Sequence, residues 1–219
     1  DARAESALIY KAASITRSQM DEYLSENIEE KEILRWNIEE KRVEGREVRS
    51  LGALSLEEKS ISVASNDKAS EVLIEGIKSL GLDTLPWDKN ALALRQRVCF
   101  INAHEEGSFP DFSETHLMET MQTWLLPYLE GKNSIKACQS LDMYAILSSL
   151  LTWEQMQKLD ELAPLKLKVA SGSNIFINYE DAQVPILAVR LQEMFGIKNT
   201  PTVLNGKVKI MIHLLSPAS

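Results

Sequence analysis

The stretch from Val184 to Ser216, VPILAVRLQEMFGIKNTPTVLNGKVKIMIHLLS, constrains the chain most, because it carries two hydrophobic periods separated by a turn. Leu187, Leu191 and Met194 or Phe195 recur at helical spacing behind Pro185, a residue that suits a first helical turn, and Gly196 supplies a left-handed stop. Further on, Val208, Ile210, Ile212 and Leu214 alternate with Lys207, Lys209, Met211 and His213, the pattern of a strand with one apolar face. Asn205-Gly206 is a hairpin signal, since a type I′ turn needs positive φ at both central residues. The expected unit is helix, strand, tight turn, strand. Leu187, Leu191, Ile210 and Ile212 should form its core.

Just upstream the period is again two. Leu165, Leu167 and Val169 alternate with Lys166 and Lys168, Ser171-Gly172-Ser173 reads as a turn, and Ile175, Ile177 and Tyr179 alternate after it. Residues 164–219 thus form a C-terminal α+β module with hairpins, small enough to need support from the residues before it. Those, 65–163, read as a helical segment. Ser65, Asn66 or Asp67 caps a helix through Val72, Leu73, Ile77 and Leu80, closed by Gly81. Asp88 caps the next, with Leu92, Arg95, Val98, Cys99 and Ile101 at helical intervals. Ser113 opens a third through Trp124 to Tyr128, and Ser140 to Leu151 is a fourth. Thr152 with Gln155 is a capping box for a fifth, stopped before Pro164. Residues 1–64 are β-rich. Ala4 to Ile15 reads as a strand and Thr16 as the cap of a short helix, and residues 32–62 alternate as a ribbon turning at Glu44-Gly45. The fold class is α+β.

Several of these segments also carry a resemblance. TWLLPYLEG, SLDMYAILSSLLTWEQMQKLDELAP, VASGS, PILAVRLQEMFG and TPTVLNGKVKIMIHLLSPA resemble, in order and spacing, the C-terminal domain of the bacterial ATP-dependent helicases called HrpB, of the DEAH-box class. The match runs over residues 85–217. The resemblance implies that 1–64 is the late part of an OB-like β region whose first strands lie upstream of Asp1. It implies a cytoplasmic parent that binds ATP and Mg on helicase core domains missing here. Its partners would be those core domains and single-stranded nucleic acid, RNA or DNA. Three departures stand out: Asn174 occupies a position where the family usually has an Arg, the family's basic tail would follow Ser219, and the ATPase core that defines the family's activity is absent from this stretch.

The chain carries a net charge of −8, which argues against indiscriminate nucleic-acid binding by the whole surface. The charge is uneven. Residues 163–219 hold six Lys and Arg against three Asp and Glu, whereas 1–62 and 63–162 are both net acidic. No G-x-x-x-x-G-K-[ST] loop occurs, and Asp160-Glu161-Leu162-Ala163 lacks the His of a DEAH box, so no phosphate cradle or catalytic residue for ATP is found and no cofactor is expected on this stretch. His104, His116 and His213 have no ligand-like spacing, and Cys99 and Cys138 sit in apolar helical text, so buried thiols and no metal site are expected. No apolar run approaches membrane-spanning length, and the N-terminus lacks a signal peptide's apolar centre.

The candidates for nucleic-acid contact are Lys166, Lys168, Arg190, Lys207 and Lys209 on neighbouring elements of the basic segment, or Arg35, Trp36, Arg46 and Arg49 on the ribbon. If the strands bearing Lys166, Lys168, Lys207 and Lys209 share one sheet, their ammonium groups converge as a phosphate track. Trp124 and Trp153 are expected in the core. Trp36 is open between core packing and base stacking. Two functions compete: a non-catalytic, strand-binding accessory region of a helicase, and a module that docks a protein partner through the acidic helical surface.

Overall fold

A computed structural model of the chain describes residues 14–63, 68–105, 107–197 and 199–216. Contacts divide it into two compact units. The first holds the described residues up to Arg35 together with Glu44–Ser62, and the second holds Trp36–Val43 and the described residues from Val63 onward. Thr16 opens α1 (Arg17–Tyr23) through a reciprocal capping box with Gln19. Strands β1 (Ile28–Asn37), β2 (Arg42–Leu51) and β3 (Leu54–Ile61) form a three-stranded sheet in that order. Among the described residues this sheet does not close into a barrel. Ser14 and Ile15 lie outside any strand, and the rest of the expected strand from Ala4 lies outside the described residues.

The β1–β2 turn corrects the sequence reading. It falls at 38–41, and Gly45 is buried inside β2. The signal is Asn37, whose side-chain oxygen accepts hydrogen bonds from the backbone N–H of Glu39 and Glu40, both at 3.0 Å. That turn is sewn to a later loop of the second unit. Val43 donates to the Asn133 carbonyl at 2.7 Å, and Ile135 donates to that of Lys41 at 3.0 Å. Trp36 lies against α2 (Lys68–Leu80) at Gly76. A Cβ built there would stand within 2.6 Å of three indole carbons.

The helical segment continues with α3 (Lys89–His104), α4 (Glu114–Glu119), α5 (Met121–Trp124), α6 (Ile135–Cys138), α7 (Met143–Ser148) and α8 (Trp153–Leu162). Asp88, Ser113 and the Thr152–Gln155 box cap α3, α4 and α8 as their sequences require. The cap expected for α2 at residues 65–67 lies outside the described residues. The single helix expected from Ser113 to Tyr128 is two helices and a 3-10 turn, because it breaks at Thr120, and Pro127 sits in the tightened final turn. The helix expected from Ser140 to Leu151 is the shorter α7, which starts at Met143 behind the cap Asp142. The Ser140 hydroxyl donates back to Ala137, while the Asp142 carboxylate caps Ala145. Leu73, Ile77, Leu94, Val98, Leu117, Met121 and Leu125 form the core, with Trp124 buried and its Nε1 donating to the Leu117 carbonyl. Trp153, expected there too, is 73% exposed. It is the first residue of α8, ahead of the turns whose apolar stripe is buried.

Strands β4 (Lys166–Lys168), β5 (Asn174–Asn178), β6 (Ile186–Arg190) and β9 (Met211–Leu215) make one sheet in the order β4-β5-β6-β9. Neighbours in β4-β5-β6 are antiparallel and β6 is parallel to β9. Strands β7 (Thr202–Val203) and β8 (Val208–Lys209) form a separate two-stranded ladder. The helix expected after Pro185 is therefore strand β6, followed by a 3-10 turn at Leu191–Met194. Residues four apart share a face in both a helix and a strand, so Leu187 and Leu191 could not discriminate; Val189, two along and buried, does. Leu191 consequently leaves the core and is 54% exposed, while Leu187 and Ile210 stay buried. The hairpin at Asn205-Gly206 forms, with both residues at positive φ. The strand after it divides at Ile210, whose N–H donates to Pro201 while that of Met211 donates to Pro185.

Candidate nucleic-acid interface

The register of the four-stranded sheet sorts its side chains into two faces. Leu167, Ile175, Ile177, Leu187, Val189 and Ile212 fall on one, buried or half-buried. On the other Lys166 stands opposite Phe176, Lys168 opposite Asn174, and Ala188 opposite His213, with Arg190 at the end of β6. All of these are exposed. No Asp or Glu occurs in the four strands. Lys166, Lys168 and Arg190 form no ion pair with a described residue. Lys166 Nζ lies 4.4 Å from the centroid of the Phe176 ring, a cation–π contact in the open.

Three of the five basic candidates of the C-terminal segment are thus brought together, and two are not. Lys209 is exposed on β8, in the separate ladder. Lys207 lies in the hairpin loop and pairs with Glu105, just beyond the end of α3. Hydrogen bonding from this ammonium holds the Glu105 carboxyl below the usual carboxylate range. The convergence of four lysines fails because the ladder changes partner at Ile210, which moves Lys207 and Lys209 off the sheet of Lys166 and Lys168.

The ribbon candidates are arranged differently. Arg46 pairs with Glu58 at 3.0 Å, and Arg49 with Glu30 at 2.9 Å, while Arg35 is exposed on β1. Carboxylates beside two of the three arginines cancel much of the field a phosphate would meet. Trp36 is half-buried with its ring against Gly76.

Arg97 went unnoticed in the sequence because Arg95 fitted the same helix equally well. It is 4% exposed. Its Nε donates to the Ala163 carbonyl at 2.6 Å and its Nη2 to Asp160 at 2.5 Å. Ala163 is the C-cap of α8, so the guanidinium serves a carbonyl that the helix itself cannot, at the negative end of the dipole. That contact fixes where α8 hands over to β4. Tyr179 lies alongside, its hydroxyl donating to the Pro164 carbonyl at 2.9 Å and its ring 4.9 Å from that of Phe100. Burial pushes its ionisation upward. Phe176 was also missed, although it stands in the outward phase of the alternation Ile175, Ile177, Tyr179, where a polar residue is expected.

The described residues include no cluster of His, Cys, Asp and Glu able to hold a metal, and no helix long and apolar enough to cross a membrane. Burial pushes the Cys138 thiol up to about 11 and raises that of Cys99, which is half-buried where a buried thiol was expected.

Residues 124–219 match the family described as ATP-dependent helicase C-terminal, HrpB_C. The ATP-dependent RNA helicase HrpB of Escherichia coli (strain K12) is 37% identical over 169 residues, covering 77% of this chain. The chain belongs with the C-terminal regions of HrpB-type helicases. The crystal structure of the E. coli DExH-box NTPase HrpB superposes with a TM-score of 0.68 at 30% identity, over 93% of this chain and 25% of that one. A second, of the Escherichia coli DEAH/RHA helicase HrpB, gives 0.66 at 31% identity, over 86% and 24%. The chain spans 21% of the length of the curated HrpB relative.

Proposed function

We propose that this chain is a non-catalytic accessory region of a cytoplasmic HrpB-type helicase and that it holds single-stranded nucleic acid on the solvent face of its four-stranded sheet. ATP and Mg would be bound, and hydrolysis carried out, by the helicase core of the parent. The carrying observation is Lys166, Lys168 and Arg190 together on a sheet whose strands hold no Asp or Glu, in a chain of net charge −8. A cationic face within an acidic surface draws the phosphate backbone to one place and repels it elsewhere. The binding is non-specific, because phosphate contacts position a strand without reading it. HrpB of E. coli is named an RNA helicase, which makes RNA the first strand to test.

Fluorescence anisotropy of a labelled single-stranded oligonucleotide, titrated at several salt concentrations, tests this reading. Each neutralised phosphate contributes a slope of about −0.7 in log K against log salt, so the triple variant Lys166→Gln, Lys168→Gln, Arg190→Gln should flatten the slope by up to about 2 units. Lys207→Gln with Lys209→Gln should leave it almost unchanged. Equal slopes for the wild type and the triple variant would refute the sheet face.

A second reading, docking of a protein partner through the helical segment, is favoured by the exposure of Trp153 beside the exposed Leu150. Trp153→Ala should then abolish association with the separately expressed helicase core while sparing oligonucleotide binding.

A further inference from the structure

Beside the cationic face, α3 and the β4–β5 edge enclose a cleft of about 310 Å³, at the lower end of the range for small-ligand pockets. Its walls include Phe176, Tyr179, Lys89, Asn90, Gln96 and Arg97. Phe176 belongs to both places. It is 61% exposed on the sheet face, and the cleft, whose Ile177 and Tyr179 lie in the opposite phase of the same segment, reaches it at the rim. We propose that this cleft seats one unstacked base of the bound strand, packed against the ring of Phe176. The inference rests on the strand-binding reading of the sheet and assigns it a stacking site.

The chemistry of the lining fits a nucleotide. An aromatic face open to solvent offers stacking that any base can use. Asn90 and Gln96 each carry one amide acceptor and two amide donors, the complement of a base edge. Arg97 commits Nε to Ala163 and Nη2 to Asp160, and its Nη1 makes no hydrogen bond to a described residue. Lys166, directly opposite Phe176 in the ladder, places an ammonium within one side-chain length of the ring. Base site and phosphate site are therefore adjacent, as they are in a single nucleotide. Lys166 covers the ring in the free protein, and a base arriving there exchanges an exposed cation–π contact for a stack and releases the ammonium to the phosphate. An exposed aromatic flanked by cations on a sheet is a surface that single-strand binders use for such stacking.

The test uses the whole 219-residue chain and single-stranded oligonucleotides carrying 2-aminopurine or, at the same length, abasic sites. The intact oligonucleotide should lose 2-aminopurine fluorescence on binding and bind between about fivefold and a hundredfold more tightly than the abasic one. Phe176→Ala should remove both differences, and Phe176→Tyr should restore them. Phe176 is largely exposed, so its variants should melt with the wild type; if Phe176→Ala does not fold, the abasic comparison on the wild-type protein decides alone. Equal binding of intact and abasic strands, with the salt dependence retained, overturns the base seat and leaves the phosphate face standing. Absence of any oligonucleotide binding overturns both.

Discussion

At the scale of single residues, Gly76 carries the sharpest demand. A methyl group there would come within 2.6 Å of three carbons of the Trp36 indole, a distance that no Cβ contact sustains. The neighbour is a ring packed flat, so it cannot yield as the end of a flexible chain would. Gly76→Ala raises helix propensity by about 1 kcal/mol, yet it should destabilise, because overpacking typically costs about 1–3 kcal/mol. A lowered denaturation midpoint checks this, and pairing with Trp36→Ala should turn the substitution stabilising. Glu105 gives a second case. Its folded pKa is depressed by Lys207, so the contribution of the pair is present above the unfolded pKa and is lost as pH falls through the folded one. Carboxyl titration by NMR should find Glu105 below the usual carboxylate range, and Lys207→Gln should bring it back up. An unmoved midpoint would mean that the ion pair does not form in solution.

At the scale of elements, the join between α8 and β4 depends on Arg97, and the balance of burial makes an asymmetric prediction. Asp160 is 72% exposed on its side chain, whereas the Arg97 side chain is 4% exposed. Arg97→Met leaves a carboxylate in water and one unserved carbonyl, a loss of about 1–3 kcal/mol. Asp160→Ala takes one acceptor from a buried guanidinium that then keeps only the Ala163 carbonyl among the described residues, and a charged group left short of a partner costs more than a neutral one. The exposed partner should therefore be the costlier one to remove, measured by urea unfolding; the reverse order would show that the cleft hydrates the guanidinium. The same scale explains what the sequence made legible. Caps were readable because Asp88, Ser113, Thr152 and Gln155 act within three residues of themselves. Strand β6 was not, because Leu187 and Leu191 satisfy both periods and the choice is made by β9, more than twenty residues on. The change of partner at Ile210 was hidden for the same reason. The alternation of apolar side chains runs through it unbroken while the backbone moves from Pro201 to Pro185.

At the scale of the whole molecule, the segment charge was visible in the sequence and its convergence was not. Residues 163–219 read as net basic, but only tertiary pairing decides that Lys166, Lys168 and Arg190 share a face while Lys207 turns to Glu105. Asn174 joins these observations. The resemblance implies an Arg as the usual residue at this position, and Asn174 lies exposed, directly opposite Lys168 on the cationic face. Arg190 lies on the same face of the sheet, two strands over from Lys168. A guanidinium at Asn174 would add a cation on the strand between them, with no carboxylate in the strands to cancel it. Asn174→Arg should steepen the salt slope by about 0.7 units, one added phosphate contact, and tighten oligonucleotide binding at low salt. The gain should shrink as salt rises, because added counterions oppose their own release. Neither Asn nor Arg packs at this exposed position, so melting should move by no more than about 0.5 kcal/mol. A tighter complex whose affinity gain is insensitive to salt would mean that the new side chain meets a base rather than a phosphate. No change at all would mean that the strand does not cross this part of the sheet.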